Sequence, residues 1–149
     1  MIIKLTGATV GANTDAYTAG DLIGGKLTLS GAYPSGAQEP YLHSITVQDL
    51  DSQAAELDFI FFDANPAATT FTNNAALDIA DADLPKIIGF ATLTASDYCA
   101  FADSSVGTVG NLGIVCKPNA GSTLYCAIVA RGTPTYSASG LSVAFGFVA

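Results

Sequence analysis

The chain has 149 residues and a formal net charge of −8, from 13 Asp and Glu against five Lys and Arg. That length suits one domain able to bury a core without metal or disulfide support, and the scattered cations Lys4, Lys26, Lys86, Lys117 and Arg131 leave no basic footprint for nucleic acid or an anionic membrane. Half the residues are hydrophobic and only 12% charged, so small neutral residues must cover much of the surface, as in a chain that hides area in an assembly or a monomer with a neutral small-residue surface.

In chain order, Met1-Ile2-Ile3-Lys4-Leu5 reads as a short strand, without the basic start and long apolar run of a secretory leader. Thr6 to Ala16 is small, polar and Gly-containing, so residues 1–16 read as an N-terminal strand or a loose arm. Gly20 and Gly24-Gly25 then bend the chain before a strand with Leu27 and Leu29 facing in and Lys26 and Thr28 facing out. No GxxxxGK[ST] pattern surrounds the glycine pair, so it is not read as a phosphate loop.

Pro34 to Pro40 is a turn-rich loop. Leu42 to Val47 alternates, with Ile45 and Val47 on one face, as a half-buried antiparallel strand does. Leu57-Asp58-Phe59-Ile60-Phe61-Phe62 is nearly continuous in apolar character and reads as a strand buried on both faces. Asn65-Pro66 stops it, because proline lacks the N–H donor and biases its predecessor away from regular structure. An acidic, Asn-rich connection follows, in which Asp81 to Lys86 reads as one short helical turn capped by Asp81.

Strand character returns at Ile87 to Leu93 and briefly at Tyr98 to Phe101, whereas Asp103 to Gly113 reads as a loop. Gly113 to Cys116 and Thr123 to Val129 read as a hairpin closed by Pro118-Asn119-Ala120-Gly121. Leu141 to Val148 alternates cleanly and closes the chain. Eight or nine short strands, with no long segment of 3.6-residue period, predict a single all-β domain over 1–149, an antiparallel β-sandwich of jelly-roll type.

A search for chemistry finds little. His43 is the sole histidine, and neither a GxSxG elbow nor another nucleophile context accompanies it. Cys99, Cys116 and Cys126 match no CxxC spacing and read as reduced, buried thiols, although Cys116 and Cys126 flank the expected turn. Asp49 with Asp51, or Asp78 with Asp81 and Asp83, offer oxygen ligands but lack the Gly and Glu of an EF-hand loop. The competing reading is architectural: Asp49 and Asp63 end strands, Asp81 caps a turn, and Asn73 and Asn74 bond local backbone. Glu39 and Glu56, the only glutamates, have no sequence relation that would pair them as a glycosidase does, and no tryptophan supplies a sugar platform. No cofactor is expected.

One set of stretches is nonetheless familiar. Ala19-Gly20-Asp21-Leu22-Ile23-Gly24-Gly25-Lys26-Leu27, Ser44-Ile45-Thr46-Val47-Gln48-Asp49, Phe59-Ile60-Phe61-Phe62-Asp63-Ala64-Asn65-Pro66, Asn73-Asn74-Ala75-Ala76 and Asp81-Ala82-Asp83-Leu84 resemble small virion structural proteins of tailed bacteriophages, among them the capsid decoration or cement proteins. The resemblance covers about Tyr17 to Leu93, extends to Gly113-Ile114-Val115, and brings no catalytic residues. It implies a non-enzymatic β-sandwich, made in the host cytoplasm, that sits on the capsid exterior as a dimer or trimer and clamps major capsid protein subunits. Met1, Ile2, Ile3, Lys4 and Leu5 are the expected capsid-contact residues, since an apolar start with a loose continuation suits an arm that orders on binding. The alternative is a tail, fibre or other virion component acting as a host-surface or glycan-binding module.

Overall fold

A computed structural model of the chain describes residues 2–32 and 40–148, with backbone alone over 2–9. The described residues form ten strands and two short 3-10 turns. The strands are β1 (Ile2–Thr9), β2 (Leu27–Leu29), β3 (Tyr41–Asp49), β4 (Leu57–Phe62), β5 (Ile87–Leu93), β6 (Tyr98–Ala100), β7 (Ser105–Val109), β8 (Ile114–Val115), β9 (Leu124–Ala130) and β10 (Leu141–Val148). One sheet runs β1-β10-β3-β7-β6, with β8 also on β3, and the other runs β2-β9-β4-β5; every pairing is antiparallel.

The winding follows from which strands pair. β1 pairs with β10, β2 with β9, β3 with β7 and β4 with β5, so the chain is a nested antiparallel ribbon folded back on itself between β4 and β5. Successive pairs lie in alternate sheets, and the contacts of β10 with β3 and of β9 with β4 join them side by side. That is the jelly-roll arrangement expected from the strand pattern.

The core lies between the sheets. β10 alternates without exception, burying Leu141, Val143, Phe145 and Phe147. Phe145 meets Phe61 edge-on at 5.7 Å and Phe59 at 6.3 Å, so the aromatic edge of one sheet fills the face of the other. β3 buries Leu42, Ile45 and Val47 despite the three-residue step from Leu42 to Ile45. A bulge permits this: Gly146 lies opposite Ser44 and Phe147 opposite Leu42, leaving His43 as the extra residue that resets the alternation.

Three expectations are corrected here. The stretch from Asp103 to Gly113, read as a loop, contains β7. Its Ser, Gly and Thr residues disguise a strand that must pack closely, for a Cβ on Gly107 would lie 2.8 Å from Leu93 Cδ2 and 2.9 Å from Tyr98 Cε1. The expected hairpin of Gly113–Cys116 with Thr123–Val129 is absent. β8 pairs with β3, while β9, buried at six of its seven positions, takes β2 and β4 as neighbours in the opposite sheet. An interior strand with two apolar faces gains more from two flanking strands than from a single hairpin partner. The helical turn is also shorter than expected and starts later, at Leu84–Lys86, with Asp83 rather than the exposed Asp81 at its N-cap.

Candidate interaction surface

The most individual feature is the connection from Asp63 to Lys86, which leaves β4, folds over the outer face of the four-stranded sheet as a flap, and returns into β5. An apolar seam explains its position. Phe62 points outward from β4 and forms a second small core with Leu22 and Ala127, against which Phe71, Leu77, Ile79, Ile87 and Tyr125 pack. Phe71 meets Phe62 edge-on at 6.4 Å. The double-sided burial expected of β4 thus holds at Phe62, while Asp58 at the other end faces outward and binds Arg131 and the Thr92 hydroxyl.

Polar side chains fix the flap. Asn73 Oδ1 accepts from the Tyr17 hydroxyl at 2.7 Å and from Gly24 N at 2.9 Å, and its amide donates to Gly11 O at 2.8 Å. The bonds predicted to be local are therefore long-range ties. Asn74 adopts a left-handed backbone, φ 57°, and its amide donates to Ala16 O. Leu22 N donates to Ala75 O, Asn74 N to Leu22 O and Leu77 N to Gly20 O, so the segment beside Gly20 runs along the flap like an extra strand. Lys26 lies over the rings of Tyr125 and Phe71, at 5.3 and 5.7 Å, while donating to Asn65 Oδ1.

Asp83 is the internal clasp. Fully buried, it accepts from Thr69 N and Thr69 Oγ1 at 2.7 Å each and from Lys86 Nζ at 2.6 Å. Burial acts to raise its pKa, but Lys86 and the Thr69 donors outweigh it and hold the carboxyl below its ordinary value. Thr69 Oγ1 also accepts from Ala80 N, which closes the flap on itself.

Asp49, Asp51, Asp21 and Asp97 are occupied in the same manner. Asp49 ends β3 and accepts from Asp51 N, Ala54 N and Ser105 Oγ; Asp51 accepts from Ser137 N and Oγ. Asp21 accepts from Thr18, and Asp97 forms a capping box with Thr94. His43 is half-buried, edge-on to Tyr41 at 6.5 Å, and its carbonyl accepts from Leu112 N. Asp78 and Asp81 are exposed on the flap. Among the described residues no three His, Cys, Asp or Glu side chains gather as metal ligands, and no helix is long and apolar enough to cross a membrane.

Cys116 and Cys126 are free thiols buried in the main core, as expected, but Cys99 on β6 is exposed. Burial pushes the Cys116 thiol up to about 11 and raises that of Cys126 further. Of the expected contact residues, Ile2, Ile3, Lys4 and Leu5 have their backbone paired with Val148, Phe147, Gly146 and Phe145 in β1. Met1 and the side chains of those residues lie outside the described residues, as do Glu39 and most of the loop from Pro34 to Pro40.

Two shallow concavities open on this side. One, of about 340 Å³, is set in the flap and lined by Thr69, Thr70, Thr72 and Asp78 with small alanines between them. The other, of about 270 Å³, lies between Asp58, Ile60, Ile87, Phe90 and Arg131. Phe90 at its margin is 70% exposed, a large apolar side chain offered to solvent. Sequence reasoning did not single out Phe90; the signal available was an aromatic residue at an outward position of a strand whose other face is buried.

Compared with known proteins, the chain matches no family model and no curated sequence.

Proposed function

We propose that this chain is a non-enzymatic structural protein of a phage virion, a decoration protein that binds the outer capsid surface and stabilises contacts between major capsid subunits. The observation that carries the reading is where the resembling stretches meet. Ala19 to Leu27, Phe59 to Pro66, Asn73 to Ala76 and Asp81 to Leu84 converge on the flap and its anchors, as the bonds from Gly20, Leu22 and Gly24 to residues 73–77 demonstrate. Four of the five resembling stretches therefore form one connected unit of structure, while Ser44 to Asp49 lies in β3 of the other sheet. Asp21 and Asp83 within that unit serve a turn and a clasp, which suits a rigid binding surface better than a reaction centre.

The charge-poor surface fits the same role, because a protein that gains stability by burial against a shell needs little charged cover. Purified protein added to undecorated heads is expected to bind to saturation at symmetric positions. Failure to bind any form of the head contradicts the reading.

The second reading, a tail or fibre component that binds a host-surface glycan, draws on the hydroxyl-lined flap concavity, where Thr70, Thr72 and Asp78 offer donors and acceptors suited to a sugar. Retention of the protein on a glycan array, lost in Asp78→Ala, supports it; an array without retained glycans removes it.

A further inference from the structure

We propose that the free edge of β5 pairs antiparallel with β5 of a second copy of this chain, joining two four-stranded sheets into one of eight strands across a two-fold axis beside Phe90. β5 is a terminal strand of its sheet, hydrogen-bonded only to β4 among the described residues. Exposed edges are normally guarded by charge, proline or shortness. Ile87-Ile88-Gly89-Phe90-Ala91-Thr92-Leu93 has no charge and no proline, and it spans seven residues. Of the other terminal strands, β2 and β6 have three residues each, and the eight-residue β1 carries Lys4 in its sequence.

Charge admits a second copy of the chain as the occupant. The chain carries −8 overall, yet none of its 13 acidic residues lies within β5. Of the ionic groups flanking it, Asp58 is compensated by Arg131 and Asp83 by Lys86, while Asp97 accepts from Thr94. A second, equally acidic copy can approach at this seam without placing carboxylates face to face. A basic partner would instead be drawn toward Asp63, Asp78 and Asp81 on the flap and would find no charge along β5.

The seam is self-complementary as well as neutral. Antiparallel pairing centred on Phe90 engages every residue of β5 and sets Phe90 opposite its counterpart, an aromatic cross-strand pair that shields two rings now 70% exposed. The result is an isologous, closed interface that adds no further free edge along this sheet. The inference rests on the edge geometry and not on the virion reading, so a dimer that ignores phage heads leaves it standing.

Sedimentation velocity over a concentration series tests it. Wild-type protein is expected to dimerise, and Phe90→Lys to weaken the dimer by at least about tenfold by setting like charges against each other at the axis. A second variant, Phe90→Cys in a Cys99→Ser background, gives facing thiols with Cα atoms about 4.5–5.5 Å apart, within disulfide reach. Mild oxidation should then yield a covalent dimer on a non-reducing gel, with none from Cys99→Ser alone. A wild-type monomer, a dimer indifferent to Phe90→Lys, or a double variant that stays uncrosslinked overturns the proposal.

Discussion

The Tyr17 hydroxyl donates to Asn73 Oδ1 at 2.7 Å, joining residues 56 positions apart. Tyr17 is rooted in the main core, where its ring lies 6.2 Å from that of Tyr136, and Asn73 stands in the flap, so this bond ties the surface feature to the interior. Burial raises the Tyr17 pKa, while its hydrogen bonding with Asn13, Gly24 and Asn73 opposes that rise. The phenol stays protonated and keeps its role as donor at neutral pH.

Asn73→Ala therefore removes the bonds to Tyr17, Gly24 and Gly11 together. At about 1 kcal/mol for each net bond, a loss of about 2–3 kcal/mol is expected. Urea unfolding measures the loss, and hydrogen exchange should localise faster opening to the flap rather than to β9 or β10. Uniform acceleration across the sandwich would mean that the flap is not a separate unit.

Asp83 gives the flap an acid limit. Its folded pKa lies below the ordinary value of 3.8, so its stabilising contribution is present above that ordinary value and disappears as pH falls through the folded pKa. Asp83→Asn should lower the unfolding midpoint at neutral pH, and the gap from wild type should close as the solution is acidified below about pH 4. A gap independent of pH would show that the side-chain charge is irrelevant.

How far the chain revealed this arrangement differs from element to element. The bounds of β4, β5 and β10 were legible, because a short apolar run or strict alternation between turn residues marks a strand. β7 was not, since its Gly107 serves close packing rather than burial of a large side chain, and small residues also make loops. The partners of β9 were hidden for a different reason. A hairpin with β8 and pairing with β2 and β4 bury the same residues of β9, and only the complete ribbon of nested pairs selects between them. At the flap, the use of Asp and Asn in turns and caps was readable from residue type, whereas the reach of Asn73 to Tyr17 and of Asp83 to Thr69 depends on how the flap lies on the sheet. Phe90 was written plainly as an apolar residue, but its exposure follows from β5 being terminal.

Gly107→Ala tests the close packing of β7. The added methyl would meet Leu93 and the Tyr98 ring, and the ring is held because the Tyr98 hydroxyl donates to Ala55 O at 2.7 Å. A loss of about 1–3 kcal/mol is expected in thermal or urea unfolding; a neutral substitution would mean that β7 is farther from β5 than described.

Tyr136→Phe has the opposite sign. The Tyr136 hydroxyl is buried with no hydrogen-bond partner among the described residues. Removing it while keeping the ring should leave stability unchanged or raise it by about 1 kcal/mol. A clear loss in urea unfolding would reveal a bond that the hydroxyl makes.

Thiol labelling separates the three cysteines. Cys99 is exposed, while Cys116 and Cys126 are buried with raised pKa values, so the folded protein should take up label at Cys99 alone and at all three after denaturation. Rapid native labelling of Cys116 would contradict its place in the core.

The central claim is that the jelly roll with its flap is a capsid-binding module. Three-dimensional reconstruction of undecorated phage heads incubated with purified protein tests it most directly. Added density of the size of this domain is expected at symmetry-related sites on the outer shell, approaching full occupancy as protein is increased. Heads that remain bare at saturating protein would contradict it.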